Sequence, residues 1–224
     1  MRDVNSGHGN RGKRVGTRLA GKPYPGERAT ATGADPLPPW YRFPETSGKA
    51  SVRLNIGEVK ACAEPTILHT LLGSCVTTCL FDPVAGVGGM NHILLPTVHA
   101  PRAGNPHLRF GLDAIDRLIH ELTRVGAFAP RLLAKVFGGG HVINAIASQF
   151  SPGDRIVEGV LARLQHLRIP VVGQDTGGIW TRVVQFHTDS FHVLVRKTAS
   201  GHSQVLATEE DRVRRSLEPV GSSF

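Results

Sequence analysis

Cys75 and His92 are the pair in this sequence best suited to nucleophilic chemistry, because a thiol needs a neighbouring base before it reacts well at neutral pH. Cys75 follows the Gly73-Ser74 turn at the mouth of an apolar run. A thiol there can be partly exposed, and successive N–H groups of the turn can point at a developing oxyanion. The two residues also share a hairpin. Strand residues face one another when the turn centre lies at their mean position, which for this pair falls inside Asp82-Pro83-Val84-Ala85-Gly86. A register one or two residues away still leaves the side chains adjacent, provided parity is kept. In such a pair the imidazole takes the thiol proton and the thiolate attacks an amide or ester carbon. The imidazolium then protonates the leaving group, and water cleaves the thioester. The plainer reading is that a strand cysteine is a small buried hydrophobe, which suits Cys62 and Cys79 well. His141, His187 and His192 have no metal-ligand spacing and read as structural, so neither a metal nor a cofactor is expected.

The elements that must position this pair are legible from their periodicity. Val52, Leu54 and Ile56 alternate with polar residues as a half-exposed strand does. Val59, Cys62, Ile67 to Leu72, Val76 to Phe81 and Gly88 to Leu95 supply further strand material. A helix is predicted from an Asn105 cap and Pro106, carrying Leu108, Leu112, Ile115, Leu118, Ile119, Leu122 and Val125 to a stop at Gly126. A second, introduced by Ser151-Pro152-Gly153-Asp154, carries Ile156, Val157, Val160, Leu161, Leu164 and Leu167. Between them Arg131 to Phe137 reads as a strand entering the turn Gly138-Gly139-Gly140. Pro170 to Val172, Thr181 to Phe186 and Phe191 to Val195 end the domain as strands, the last two joined by a Thr188-Asp189-Ser190 turn. Helices set among hairpin-connected strands predict one layered α/β/β sandwich with mixed sheets, rather than a doubly wound parallel sheet.

The flanks differ in composition. Residues 1–50 are rich in Gly, Pro, Arg and Thr and hold nine basic and four acidic residues, so five of the eight net positive charges lie there. Such a segment cannot bury enough apolar surface to offset its ordering entropy and reads as a disordered leader, with Trp40 to Phe43 as a possible dock onto the domain. The folded domain is assigned to 51–205 and a charged tail to 206–224. Basic residues of the leader are scattered and no nucleic-acid-binding motif follows, so nucleic acid is not the expected partner. No run approaches the roughly 18 apolar residues of a membrane span, and no apolar segment follows the basic N-terminus as a secretory signal requires. Cys75 and Cys79, four apart in a strand, stand about 13 Å apart, beyond disulfide reach. Three thiols and no CxxC pair point to a reducing, cytoplasmic setting.

The local text adds a resemblance. Leu71-Leu72-Gly73-Ser74-Cys75-Val76, continued by Cys79-Leu80-Phe81-Asp82-Pro83 and then Gly88-Gly89-Met90-Asn91-His92-Ile93-Leu94-Leu95-Pro96, closely resembles the CheD family of chemoreceptor glutamine deamidases. Ala134-Lys135-Val136-Phe137-Gly138-Gly139, Asp175-Thr176-Gly177-Gly178 and Val193-Leu194-Val195-Arg196 match in order, so the likeness spans about Ile56 to Lys197. It implies that Cys75 is the nucleophile, His92 its partner and Ser74 a substrate contact. It also implies hydrolysis of glutamine side chains on methyl-accepting chemotaxis receptors to glutamate and ammonia, with methyl-ester hydrolysis as an added activity. The implied partners are the receptor's cytoplasmic helices and a CheC-type phosphatase. The residues by themselves imply only acyl transfer.

One departure leaves the third catalytic residue open. The family carries a threonine six residues before the nucleophile, which positions the histidine. Here His69 holds that place and Thr70 comes one later, on the opposite face of a regular strand. Either a bulge brings Thr70 in, or His69 substitutes, or another group orients His92. The displaced threonine also sustains an alternative reading, a non-catalytic adaptor for receptors or for a CheC-type phosphatase. Arg182 resembles a family arginine after the glycines, and is read either as a contact to an acidic substrate or as a strand surface charge.

Overall fold

The computed structural model describes residues 48–94, 111–141 and 152–198. Nearly all of the predicted leader, the tail, Trp40 to Phe43, the Asn105-Pro106 cap with Leu108, and Ser151 lie outside the described residues.

Among the described residues nine strands and two α-helices follow in order: β1 (Ala50–Arg53), β2 (Val59–Cys62), β3 (Thr66–Leu72), β4 (Val76–Asp82), β5 (Val87–Asn91), α1 (Asp113–Arg124), β6 (Leu133–Gly138), α2 (Pro152–His166), β7 (Val171–Thr176), β8 (Thr181–His187) and β9 (Val193–Thr198). They form a four-stranded sheet in the order β1-β3-β8-β9 and a five-stranded sheet in the order β2-β5-β4-β6-β7. Both sheets are mixed, with β1 parallel to β3 and β6 parallel to β7. This is the expected α/β/β sandwich.

Strand alternation divides the core into two layers. From β4, Val76 and Leu80 join Ile115, Leu118 and Leu122 of α1 and Ile156, Val160 and Leu164 of α2 in the layer under the helices. The neighbouring residues Cys75, Cys79 and Phe81 point the other way. They pack with Leu68 and Leu72 of β3 and Val184 and Phe186 of β8 between the two sheets. Each buried Leu contributes about 1.5–3 kcal/mol by leaving water. Arg163 of α2 clamps Asp116 of α1 at 2.7 and 2.8 Å, tying the helices to one another.

One expectation needs correcting. β7 runs on from Val172 to Thr176, because Gly173, Gln174, Asp175 and Thr176 pair with β6 on an edge strand whose polar residues show no apolar alternation. The β4–β5 hairpin pairs Asp82 with Val87 and Cys79 with Met90, two residues from a register placing Cys75 directly opposite His92 and within the shift that keeps both side chains on one face.

That register is set by Asp82. Its carboxylate accepts hydrogen bonds from the N–H groups of Val84, Ala85 and Phe128 and from the Arg131 guanidinium at 2.7 Å. It thereby closes the hairpin turn and anchors the short 3-10 turn Ala129–Arg131. Arg131, opposed by burial and aided by those N–H groups, holds the carboxyl well below the usual carboxylate range. A depressed folded value means that this stabilisation is full above the unfolded pKa of about 3.9 and drains away as pH falls further. Asp82→Asn is therefore expected to lose about 2 kcal/mol or more at pH 7 and to show a flatter loss of stability below about pH 4 than the parent. Urea unfolding midpoints at pH 7, 4 and 3 check both; parallel pH curves would exclude Asp82 as the acid-sensitive group.

Candidate active site

The strand ends opposite the Asp82 turn bring Cys75, His92 and Thr70 to one place. Val76 and Ile93 exchange both backbone hydrogen bonds, at 2.9 and 2.8 Å. Cys75 and His92, each one residue before a member of that pair, are thus diagonal rather than directly opposed. Diagonal neighbours in an antiparallel pair stand roughly 7–8 Å apart, within reach of a thiol and an imidazole. The ladder between this pair and Cys79–Met90 is carried by side chains. Asn91 Oδ1 accepts from the Thr78 N–H at 2.8 Å, and the Thr77 hydroxyl donates to Asn91 O. His92 itself pairs outward, its N–H donating to Glu58 O and its carbonyl accepting from Gly57 N.

Thr70 arrives from the other sheet. The β3–β8 register is unbroken from Ile67 to Leu72, so no bulge intervenes. Simple alternation sets Thr70 with Leu68 and Leu72 on the face between the sheets, and leaves His69 half-buried on the outer face. The Thr70 hydroxyl lies 2.9 Å from His92 Nδ1 and donates to Leu54 O at 2.8 Å. A threonine has one hydroxyl proton, and giving it to Leu54 O leaves only lone pairs toward the ring. With the hydroxyl proton directed at Leu54 O, Nδ1 is the ring nitrogen that donates, and Leu54 O at 3.5 Å is a second acceptor for it. In the neutral ring this leaves Nε2 as the basic nitrogen.

Cys75 is not partly exposed as the sequence suggested; its accessibility is 0%. Its side chain packs in the apolar layer between the sheets, and beside its backbone stands the glycine triplet, which the sequence presents only as a turn. It lies against the Gly73–Cys75 backbone, with Gly139 N–H donating to Cys75 O and Gly140 N–H to Gly73 O, both at 2.8 Å. A Cβ on Gly140 would stand 2.5 Å from Trp180 O and 3.0 Å from Gly73 O, so only glycine fits between these two segments. Ser74 is buried in the same turn. Val76 N–H is committed to Ile93, which removes it as an oxyanion donor.

Arg182 is neither a surface charge nor exposed toward solvent. It is buried at 1% accessibility, and its guanidinium donates to Asp175 Oδ1 at 2.9 Å, Gly177 O at 2.7 Å and Trp180 O at 3.1 Å. Lys197 holds the same Asp175 oxygen at 2.9 Å, so this carboxylate ties β7 of one sheet to β8 and β9 of the other. Cys79 behaves as the buried hydrophobe expected: burial, only partly offset by Lys135, pushes its thiol up, away from the thiolate. Among the described residues no cluster of His, Cys, Asp and Glu is arranged to hold a metal. A cavity of about 360 Å³ opens beside the Gly57–Glu58 backbone that pairs with His92, and Arg53, Lys60 and Arg117 give its lining a cationic balance against Glu58.

Against this geometry, the chain can be set beside known proteins. It is 44% identical over 169 residues to a protein of Anaeromyxobacter dehalogenans named "Probable chemoreceptor glutamine deamidase CheD 1", covering 74% of this chain and 97% of that one. The chain belongs to the CheD family. A CheD protein of Shewanella oneidensis bearing the same name is 39% identical over 176 residues, with 78% and 85% of the two chains covered. One from Bordetella avium, named "Probable chemoreceptor glutamine deamidase CheD", is 43% identical over 141 residues, 63% of this chain and 62% of that one. The family model described as CheD chemotactic sensory transduction matches residues 94–197. No helix among the described residues is long and apolar enough to cross a membrane.

Proposed function

We propose that this CheD-family protein hydrolyses glutamine side-chain amides on chemoreceptors to glutamate and ammonia, with Cys75 as nucleophile, His92 as base and Thr70 orienting His92. The observation that supports the reading is the Thr70 hydroxyl 2.9 Å from His92 Nδ1, an arrangement suited to holding the ring proton on Nδ1 and leaving Nε2 to act on a thiol. His92 Nε2 takes the Cys75 proton, and the thiolate adds to the carboxamide carbon. The imidazolium returns the proton to the departing nitrogen, which leaves as ammonia. Water, deprotonated by His92, then opens the thioester to glutamate and restores the thiol. Methyl-glutamate esters fit the same scheme, with methanol leaving instead.

The cationic cavity lined by Arg53, Gly57, Glu58, Lys60 and Arg117 favours approach of a carboxylate-bearing partner. A substrate on cytoplasmic receptor helices sets the enzyme in the cytoplasm, and a CheC-type phosphatase is the second partner that the family resemblance offers. The adaptor alternative drew its ground from a displaced threonine, and Thr70 lies against His92.

The deciding experiment incubates the protein with a receptor cytoplasmic fragment and follows ammonia release and the mass of each glutamine-bearing peptide. Conversion of particular glutamines supports the proposal, whereas binding without conversion replaces it with the adaptor. Thr70→Val tests the orienting role. It leaves His92 Nδ1–H only the more distant Leu54 carbonyl, so kcat is expected to fall roughly 10- to 100-fold, less than the whole value of a general base. Thr70→Ser, which keeps the hydroxyl, should recover most of it. Equal rates for Thr70→Val and the parent would remove Thr70 from the mechanism.

A further inference from the structure

Ile179 and Trp180 are exposed at 58% and 39%, and they stand on the turn between β7 and β8. The other exposed large apolar side chains among the described residues lie elsewhere. Val84 and Phe128 sit around the Asp82 turn, and Val171 and Val172 begin β7 beside Ala134 at that same far end of the sheet. Trp180 instead adjoins the nucleophile turn, since Gly140 is wedged between Trp180 O and Gly73 O.

This turn is held with unusual firmness for one that presents apolar side chains to water. Gly177 N–H donates to Gly138 O at 2.9 Å, and His141 N–H to Gly178 O at 2.7 Å. Arg182, buried and paired with Asp175, gives further donors to Gly177 O and Trp180 O. Burying a guanidinium is costly unless its donors are well paired, and here Asp175, Gly177 O and Trp180 O pair them and so hold the turn in one geometry. A rigid, exposed tryptophan with an aliphatic neighbour is also the composition of a binding hot spot, because little entropy is lost when it is covered.

We propose that Ile179 and Trp180 are specificity-determining contacts that take apolar side chains of the receptor helix one turn away from the target glutamine. The inference rests on the deamidase reading of the Cys75 site. On a helix, residues at i±3 and i±4 lie about 5–6 Å from the glutamine on the same face. When that glutamine enters beside Cys75, those residues are the ones delivered to the rim on which Trp180 stands. Glutamines with an apolar residue one turn away are thereby preferred over glutamines whose neighbours are charged. Arg182 then serves the substrate indirectly, by fixing this turn.

The test uses the full chain and a receptor cytoplasmic fragment. In a Cys75→Ala background, Trp180→Ala is expected to weaken binding of the fragment roughly 10- to 50-fold, and Ile179→Ser by less. In the otherwise unchanged enzyme the same substitutions raise KM by similar factors, with kcat within about twofold. Trp180→Phe restores much of the loss, and thermal unfolding of each variant confirms that the fold persists. Placing lysine one turn from a converted glutamine should slow its conversion by the parent more than by Trp180→Ala, since the contact it disrupts is already gone. Conversion by the parent, with Kd and KM unmoved by Trp180→Ala, overturns the inference and leaves the deamidase reading intact. A fall in kcat without a change in Kd overturns it too, by making the turn a support for Cys75. Weakened binding with no conversion even by the parent sinks the deamidase reading, while the apolar contact stands.

Discussion

Cys75→Ala is expected to abolish conversion of receptor glutamines, lowering kcat by at least about 10⁴-fold, because a methyl group can form no thioester and no other group in the site can take its place. The fold should survive the change. Cys75 is fully buried in the layer between the sheets, so removing its sulfur leaves a small cavity worth roughly 1–2 kcal/mol. Cys79→Ala is the matched control. That thiol is equally buried, in the same apolar cluster and four residues further along the chain, yet its environment opposes the thiolate. It should cost a similar amount of stability and leave turnover near that of the parent. Peptide mass mapping and unfolding midpoints on the three proteins decide the matter. Turnover above about 1% in Cys75→Ala, or its loss in Cys79→Ala, would mean that the wrong sulfur has been chosen.

What the sequence disclosed, and what it withheld, follows from the range of the interactions. Helices and most strands were legible because periodicity is local: Ile115, Leu118 and Leu122 of α1, or Ile156, Val160 and Leu164 of α2, declare a buried face without reference to anything else. The hairpin placed Cys75 and His92 together for the same reason, although its register depends on Asp82 reaching across to Phe128 and Arg131, forty-six and forty-nine positions away. Thr70 shows the limit more sharply. Counting residues back from Cys75 leaves the choice between His69 and Thr70 open, because the answer lies in which face of β3 meets the other sheet, and that depends on β3 pairing with β8 more than a hundred residues later. Arg182 stayed open between a substrate contact and a surface charge because the sequence does not show the turn folding back, which brings Asp175 and the Gly177 and Trp180 carbonyls around the guanidinium. The burial of Cys75 was hidden similarly, since its neighbours in the layer come from β3 and β8, and the glycines against its backbone come from the end of β6 and just after it.

Gly138→Ala should be the most damaging single-methyl change in the described fold, and it tests that arrangement. Gly138 has φ +112°, a backbone conformation that L side chains rarely adopt, and a Cβ placed there would stand 2.2 Å from Cys75 O and 3.1 Å from both Val76 Cα and Leu72 Cδ1. Two of those three atoms are backbone inside a sheet and cannot swing aside. The end of β6 must therefore lift from β4, breaking the Val76–Gly138 pairing, the Gly139 N–H bond to Cys75 O and the Gly177 N–H bond to Gly138 O. Strain and lost hydrogen bonds together should cost roughly 3–5 kcal/mol. In whatever fraction folds, displacement of the Cys75 backbone by even about 1 Å should lower kcat by 10²-fold or more. Gly86→Ala separates strain from collision. Gly86 also has positive φ, +71°, but a Cβ there meets nothing within 4 Å, so it should lose only about 1–2 kcal/mol and keep its turnover. If urea unfolding finds the two variants equally stable and both turn over normally, then contact with Gly138 is not what fixes the nucleophile, and the Gly73-Ser74 turn must hold Cys75 by its own geometry.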